Sequence, residues 1–494
     1  MKKIIYIVSL CVTPFLFNSC EDAYDIERHG ILDPTTVDPY ITMSDVRAGL
    51  NDVYGEMNRS NQIALASIWT DECGIGYANG GQGISDGEYS FQMTSESNFS
   101  LQIWYENYGV LNAINRFFDG TERYQENYGD GSSEETTEIN ELVAQAKVIR
   151  AYTYLDLLSY YSTDMTDDNA LGVMNLENLV PELTNPVNLA RVTNGEIFDF
   201  IEQDLEDAEM YLADNDMIYV NPATINAIKA RMALYRGHYT DAITYAQAVM
   251  DEYSLVSRGV YRSMFFTNAD TDEVIFKLKR VEGQYAVGRT WSSINSNYDG
   301  SPFFEIGRSL FNSFDENDIR YSVNVGLGSV IDENYTTSTD YRNTDVLLIG
   351  KYKGTSTSPN DLIVFRVAEM YLIKAEAQAN LNFLTDAATT LQEIRNARFS
   401  SGNAPSLPTY ASKTEALADV LDERRIEFAF EGHRYLDLKR IGSVIGTGAE
   451  RDPMDCQFNG ACYLDGSSYK FTLPIPSIEL GANPAISGQQ NTGY

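Results

Sequence analysis

Apolar residues recur at helical spacing along most of the chain. After Ser44, a residue type that caps helix N-termini well, they continue at this spacing over residues 46–57. Farther along, Thr193 and Glu196 have the spacing of a capping box, and residues 197–212 after them carry one apolar stripe. These patterns predict a mainly α-helical protein.

Two segments of the helical pattern resemble each other. Residues 230–242 and 375–387 each begin and end with Ala, finish in Thr-Asp-Ala, and hold a turn residue, Gly237 in the first and Asn382 in the second. Small residues around a tight turn let two antiparallel helices approach closely, and the pattern is similar to a tetratricopeptide helix pair. Because the copies start 145 residues apart, a simple tandem solenoid is excluded. We expect a few helix pairs whose connections carry large insertions.

Strand patterns are few, and long polar segments separate the helices. Residues 274–279 alternate as a strand does, and residues 346–352 are apolar enough for a short buried strand. Three segments are rich in Gly, Ser, Asn and Tyr, namely residues 73–99, 283–304 and 326–343. Segments this long are usually functional or disordered. Their many aromatic residues argue against disorder.

The N-terminus has the pattern of an export signal. Lys2 and Lys3 precede an apolar run over residues 4–17, which is shorter than the roughly 20 residues that span a membrane as a helix. Ser19 and Cys20 follow, and a small residue before Cys suits a lipoprotein signal peptidase. We therefore expect residues 1–19 to be removed and Cys20 to carry the lipid. The alternative is an ordinary secretory signal that leaves Cys20 as a plain thiol.

The overall charge limits the partners. The chain has 71 acidic and 36 basic residues, for a net charge of −35. Such a balance excludes a nucleic-acid binder, whose affinity rests on Lys and Arg at phosphates. Its simplest role is solubility at an exposed surface.

Cysteine is sparse after the signal peptide. Cys456 and Cys462 are close enough in sequence to close a small disulfide loop in an oxidising compartment. A metal site at this pair is not expected, because no His or third Cys lies nearby. Cys73 then remains single, and we expect it to be buried.

A charged segment near the C-terminus is the most informative motif. Residues 422–440 read as a helix that stops near Gly432 and a second short helical turn, with charges at three- and four-residue spacings. A functional interpretation makes Glu431 and His433 an acid/base pair. A structural interpretation makes the charges an ion-pair network that braces two helices. We favour the second, since no nucleophile, metal-ligand set or oxyanion element accompanies them.

This segment resembles the signature of the SusD/RagB family, the nutrient-binding outer-membrane lipoproteins of Bacteroidetes. Residues 365–377 and 391–398 are similar to the helices that precede it in the family. Residues 473–494 are similar to the usual C-terminal ending, with Thr492 where Pro is commoner. The lipoprotein signal fits as well, and so does the acidic cluster Glu21, Asp22, Asp25 and Glu27.

The resemblance implies a fold and a division of the chain. It implies a mainly α, SusD-like fold in which tetratricopeptide-like helix pairs form a scaffold, and a loop-rich region with few short strands binds the ligand. After the signal peptide we expect an acidic tether over residues 20–40. Residues 41–225 then form an N-terminal region and residues 226–494 a C-terminal region of one intertwined globular unit.

The resemblance also implies a function. A lid anchored at the outer face of the outer membrane captures oligosaccharide and delivers it to a SusC-like TonB-dependent barrel, without catalysis and without a cofactor. Two alternatives stay open, namely capture of peptide or glycopeptide by the same lid, and a scaffold that holds only proteins. Metal binding is not expected, because the Asp-rich run over residues 164–169 lacks EF-hand spacing.

Candidate ligand residues lie in the long loops. A sugar is bound by flat aromatic faces together with amides, carboxylates or Arg at its hydroxyls. The chain has 33 Tyr, 22 Phe and 3 Trp, most of which we expect in the core, Trp104 among them. We expect exposed ligand-binding residues in the first and second loops, where the family places them: Tyr77, Asn79, Arg289, Trp291, Asn295 and Tyr298.

Overall fold

The computed structural model describes residues 38–76, 87–177, 188–292, 302–332, 345–354, 357 and 359–494. Helices dominate it, as the apolar spacing predicts. Those of the first half are α1 (Met43–Glu56), α2 (Ser60–Trp69), α3 (Asn98–Asn127), α4 (Ser133–Tyr161), α5 (Asn194–Glu209), α6 (Pro222–Arg236), α7 (Tyr239–Met250) and α8 (Arg258–Phe266). Those of the second half are α9 (Gly288–Ser292), α10 (Arg308–Phe311), α11 (Tyr321–Asn324), α12 (Val367–Asn380), α13 (Leu384–Arg398), α14 (Lys413–Glu427), α15 (Arg434–Asp437), α16 (Ser443–Ile445), α17 (Pro453–Cys456) and α18 (Ser477–Ala482).

Local capping sets several helix starts. The capping box of Thr193 and Glu196 is present at the start of α5, as expected. Helix α1 begins one residue before the predicted cap, at Met43, because Thr42 accepts a hydrogen bond from the Asp45 backbone and Asp45 caps in return. The capping box at Thr42 therefore replaces the cap predicted at Ser44.

The two predicted helix pairs are confirmed. Helices α6 and α7 form one pair and α12 and α13 the other, and α7 packs against α12, so the pairs are neighbours in space. Gly237 turns the first pair with φ of 76° and Asn382 the second with φ of 62°. Glycine adopts this left-handed backbone freely, and Asn is among the few other residues that tolerate it. Helix α14 extends the stack on the far side of α12.

Short antiparallel strand pairs tie the helices together. The strands are β1 (Cys73–Ile75), β2 (Leu171–Met174), β3 (Arg191–Thr193), β4 (Val274–Leu278), β5 (Phe304–Ile306), β6 (Leu362–Arg366), β7 (Gly448–Glu450) and β8 (Tyr463–Asp465). They pair as β1 with β5, β2 with β3, β4 with β6 and β7 with β8. Strand β4 confirms the strand predicted at residues 274–279, although all five of its residues are buried and do not alternate between a buried and an exposed face.

The second predicted strand, at residues 346–352, is buried but not regular. Leu347 accepts a hydrogen bond from the Ile306 backbone on one side, whereas Val346 and Gly350 bond to different partners on the other. Its backbone therefore makes isolated bridges and no continuous ladder.

The cysteines lie as the spacing suggests. Cys456 and Cys462 are joined by a disulfide beside β7 and β8. Cys73 is a buried free thiol at the start of β1. Within the described residues, no helix is long and apolar enough to cross a membrane.

Candidate functional site

The charged C-terminal motif is a buried ion-pair network, so its structural interpretation is confirmed. Glu427 accepts hydrogen bonds from Arg320, Arg366 and Arg398. These side chains are 0–2% exposed. Burial would raise the pKa of Glu427, but Arg398, Arg366 and Arg320 outweigh it and hold that pKa well below its usual range. The network joins Glu273, Asp318, Glu423, Glu427 and Glu431 to Arg320, Lys351, Arg366, Arg395 and Arg398.

Glu431 and His433 do not form an acid/base pair. Glu431 accepts hydrogen bonds from Lys351 at 2.8 Å and from Arg366 at 2.9 Å. The buried His433 ring stacks on Phe428 with ring centroids 4.4 Å apart. Burial, helped by nearby Arg side chains, lowers the pKa of His433 well below its usual value, so its ring is neutral. Helix α14 ends at Glu427, before the predicted stop near Gly432, and the predicted short turn follows as α15.

The described ends of the three long loop segments meet in one place. Strand β1, at the start of the first segment, pairs with β5, at the end of the second, and Gly76 donates to the Phe303 carbonyl at 3.0 Å. The third segment joins them, because Ile306 of β5 donates to the Leu347 carbonyl, and the neighbouring Val346 bridges to Val330. The predicted site residues Tyr77, Asn79, Asn295 and Tyr298 lie outside the described residues, as does the predicted anchor Cys20.

The exposure expected of Trp291 is wrong. Its side chain is 4% exposed and its ring lies 5.8 Å from that of Phe430. Helix α9 is pressed against the chain at Gly288, where a Cβ would stand 1.8 Å from the Tyr352 carbonyl oxygen. This contact turns Trp291 into the core, whereas its neighbour Arg289 is exposed. Trp104 is buried at 3% exposure, as expected.

An open cleft lies beside the start of the second loop segment. It has a volume of about 460 Å³. The end of α1, one face of α3 and the chain just after β4 form its walls. Two exposed aromatic rings stand on it, Tyr105 at 71% and Tyr285 at 51% exposure. Its polar lining comes from Glu56, Asn58, Glu106, Asn112, Arg116, Arg280 and Gln284.

Two charged groups in the cleft keep unused hydrogen-bonding capacity. Asn58 and Asn61 donate to one carboxylate oxygen of Glu106 at 3.1 and 2.9 Å. The other oxygen, Oε2, is buried and has no partner among the described residues, and burial raises the pKa of this carboxyl. Arg280 donates to the Met57 carbonyl at 2.7 Å, but its Nε has no described partner.

A glycine in the middle of α3 opens the floor of the cleft. Gly109 lies between Tyr105 and Asn112 on the face that lines the cleft. No atom stands within 4 Å of the position that its Cβ would take. Glycine inside a helix costs about 1 kcal/mol relative to alanine. No neighbouring atom would clash with a side chain at this position, so packing does not require glycine. The effect of Gly109 is to keep this part of the cleft open.

The sequence analysis missed the cleft, although part of it carries a signal. Tyr105, Gly109, Asn112 and Arg116 follow each other at four, three and four residues. This spacing places them on one face of α3, opposite the stripe that contains Trp104. This helix face, which combines polar and aromatic residues with a glycine, is the signal from which the cleft could have been predicted. Within the described residues, no group of His, Cys, Asp and Glu is placed to hold a metal ion.

Comparisons with known proteins agree with the resemblance. The SusD family model matches residues 272–494. SusD-like protein P2 of Formosa agariphila is 23% identical, with 100% of each chain covered. SusD-like protein P38 of the same organism is also 23% identical, over 87% of this chain and 90% of its own length.

Solved structures share the fold. A SusD superfamily protein from Bacteroides thetaiotaomicron is 22% identical, with a TM-score of 0.73 over 91% of this chain and 100% of that chain. A SusD-like carbohydrate-binding protein from Bacteroides vulgatus is 17% identical, with a TM-score of 0.68 over 90% of this chain and 97% of that chain. Residues 272–494 therefore match the SusD family model, and the fold of the chain is similar to that of these SusD superfamily structures.

Proposed function

We propose that the protein captures oligosaccharide at the cell surface and passes it to a SusC-like TonB-dependent transporter. The observation that carries the ligand class is the cleft between Tyr105 and Tyr285. Two exposed rings offer faces for the C–H side of a pyranose. Glu106, Arg280 and the amides around them offer donors and acceptors for its hydroxyls. The protein of similar fold from B. vulgatus is a carbohydrate-binding protein, which supports the same class of ligand.

The function is binding, with no chemical step. In the described cleft, Glu106 is held by Asn58 and Asn61, which suits a hydrogen-bond acceptor for a sugar hydroxyl. Arg280 is fixed by its bond to the Met57 carbonyl and presents a preorganised guanidinium. The exposed Arg289 lies four residues after Tyr285 in the chain, within the second loop segment.

Replacing Tyr105 and Tyr285 together by Ala is expected to weaken glycan binding strongly. Each stacking ring contributes about 1 kcal/mol, so the double variant loses about 2 kcal/mol, or roughly thirtyfold in affinity. Affinity gels cast with starch, xylan, mannan or arabinan identify the polysaccharide that the protein binds. Calorimetry with oligosaccharides of that polysaccharide then measures the loss of affinity. Tyr211→Ala is the control, since Tyr211 is 48% exposed and lies outside the cleft.

Gly109→Gln separates binding from stability in the same assay. Gln fills the cleft floor and also suits the helix better than Gly, so it should weaken binding while raising the free energy of unfolding by up to about 1 kcal/mol. Unchanged glycan affinity in both this variant and the Tyr double variant would sink the cleft as the ligand site. If the protein is retained by an acidic or basic peptide mixture and by no polysaccharide, the result favours peptide capture.

Cys20 is the proposed lipid anchor, and it places the protein at the outer membrane, facing outward. Cys20→Ala is therefore expected to move the protein from the membrane fraction to the soluble fraction, because the variant lacks the thiol that carries the lipid in this proposal. Cys11→Ala is the matched control, since Cys11 lies inside the predicted signal peptide. An anchor elsewhere is indicated if both variants stay with membranes. Co-purification of a TonB-dependent barrel with the wild-type chain tests the partner.

A further inference from the structure

A second cavity lies in the helix-pair stack, away from the cleft. It has a volume of about 650 Å³, against about 460 Å³ for the cleft. Helices α6, α7, α12 and α14 supply one side, and the chain after α4 and the turn at residues 466–472 supply the other. None of its described lining residues also lines the cleft. The two cavities are therefore separate places for a ligand.

A π-helical turn forms part of the wall. Residues Leu438–Gly442 are wound as a π-helix between α15 and α16. Lys439, Arg440 and Ile441 of this turn all line the cavity. Such turns are rare, and they occur frequently at functional sites because they redirect side chains within a helix.

The charged residues that line the cavity are two of each sign, namely Asp164 and Glu376 against Lys439 and Arg440. Arg440 bonds to Glu376 and Asp437, which leaves this guanidinium no surplus charge. Lys439 donates to the carbonyls of Ser159 and Ser162 at 2.8 and 2.6 Å, at the end of α4. A cavity lined by equal numbers of acidic and basic residues favours a ligand without a net charge, since a charged ligand would lose its water there without gaining a surplus of opposite charge.

The surroundings of Lys439 reduce its charge further. Burial lowers the pKa of this amine to about 7, with Asp164 opposing that shift and Arg191 adding to it. Near neutral pH the amine therefore carries only part of a positive charge. A partly neutral amine can accept as well as donate a hydrogen bond, as a sugar hydroxyl requires.

The remaining lining is aromatic and hydroxylic. Tyr239 is half-buried and Tyr469 is 46% exposed, so both present ring surface to the cavity. Ser467, Ser468 and Thr163 contribute hydroxyls. Ring faces beside hydroxyls match the two sides of a pyranose.

We propose that this cavity is a second carbohydrate site, which takes an uncharged mono- or disaccharide independently of the cleft. The ligand class rests on the proposed function, but the site does not share residues with the cleft. The protein thus holds glycan at two points, one at the open cleft and the other in the helix-pair stack.

Saturation-transfer NMR on the full chain in detergent tests this site. The probes are D-glucose, D-galactose, D-mannose and N-acetyl-D-glucosamine, with D-glucuronate as the charged comparison. At least one uncharged sugar should give a signal that persists in the Tyr105→Ala, Tyr285→Ala double variant. Val444→Trp, which narrows the mouth from a 54% exposed position, should abolish that signal. Val260→Trp, 41% exposed on α8, is the matched control and should keep it.

The possible outcomes distinguish failure of the second site from failure of the proposed glycan capture. A signal that disappears in the double Tyr variant and is unchanged by Val444→Trp refutes the second site but leaves glycan capture intact. Equal signals for D-glucuronate and the uncharged sugars overturn the ligand class. No signal from any probe, with polysaccharide retention still present, also overturns the second site. Tyr469→Ala provides a second variant, and its folding is checked by circular dichroism.

Discussion

Glu427→Gln is expected to lower the free energy of unfolding by about 3–5 kcal/mol, the largest single effect that we predict. The substitution keeps the size of the side chain but removes the charge that Arg320, Arg366 and Arg398 share. Three guanidiniums, each 0–2% exposed, are then left with a surplus positive charge that water cannot reach. Chemical denaturation followed by circular dichroism measures the loss.

Glu202→Gln is the matched control. Glu202 also pairs with an arginine, Arg236 at 2.7 Å, but its side chain is 46% exposed. Exposed pairs contribute between 0 and about 1 kcal/mol. A similar small loss for Glu427→Gln would mean that the buried network does not stabilise the fold.

Glu72→Gln is expected to change how stability depends on pH. Glu72 is fully buried just before β1, and burial raises the pKa of its carboxyl to about 7 from 4.5. Its Oε2 accepts from Ser67 Oγ at 2.7 Å, while Oε1 has no partner among the described residues. The neutral form is thus favoured in the folded protein.

The direction of the effect follows from the raised pKa. In the wild type, the contribution of Glu72 to the free energy of unfolding is fully present below pH 4.5 and is lost as the pH rises toward about 7. Gln cannot ionise, so the free energy of unfolding of the variant, relative to that of the wild type, should rise by roughly 2–3 kcal/mol between pH 5 and pH 8. Unfolding free energies of both proteins across this range measure it. The difference below pH 4.5 is the internal control, and a difference that stays constant with pH contradicts the prediction.

Much of the scaffold could be predicted from sequence because its signals are local. Gly237 and Asn382 mark tight turns wherever the rest of the chain lies, and the capping box at Thr193 acts within one helical turn. The charges of residues 422–440 also indicated a brace. Their partners Arg320 and Lys351 could not be identified, because they lie far away in sequence.

The cleft that we propose as the binding surface was harder to predict because it depends on tertiary packing. Trp291 was expected to be exposed, since it lies in a polar loop segment, but the close contact at Gly288 turns it inward. The cleft combines the end of α1, a face of α3 and the chain after β4. No single window of sequence contains these parts, so only the fold shows that Tyr105 and Tyr285 share a cleft.

The packing of α7 against α12 has a kinetic consequence. Residues 251–366 separate the two helices, so their contact is non-local and must await the closure of a long loop. Folding slows as such contacts come to dominate a topology. During synthesis, the first helix pair emerges well before the second, and its contact face stays uncovered until α12 is made. The order in which the helices of the stack assemble therefore follows the order in which they are synthesised.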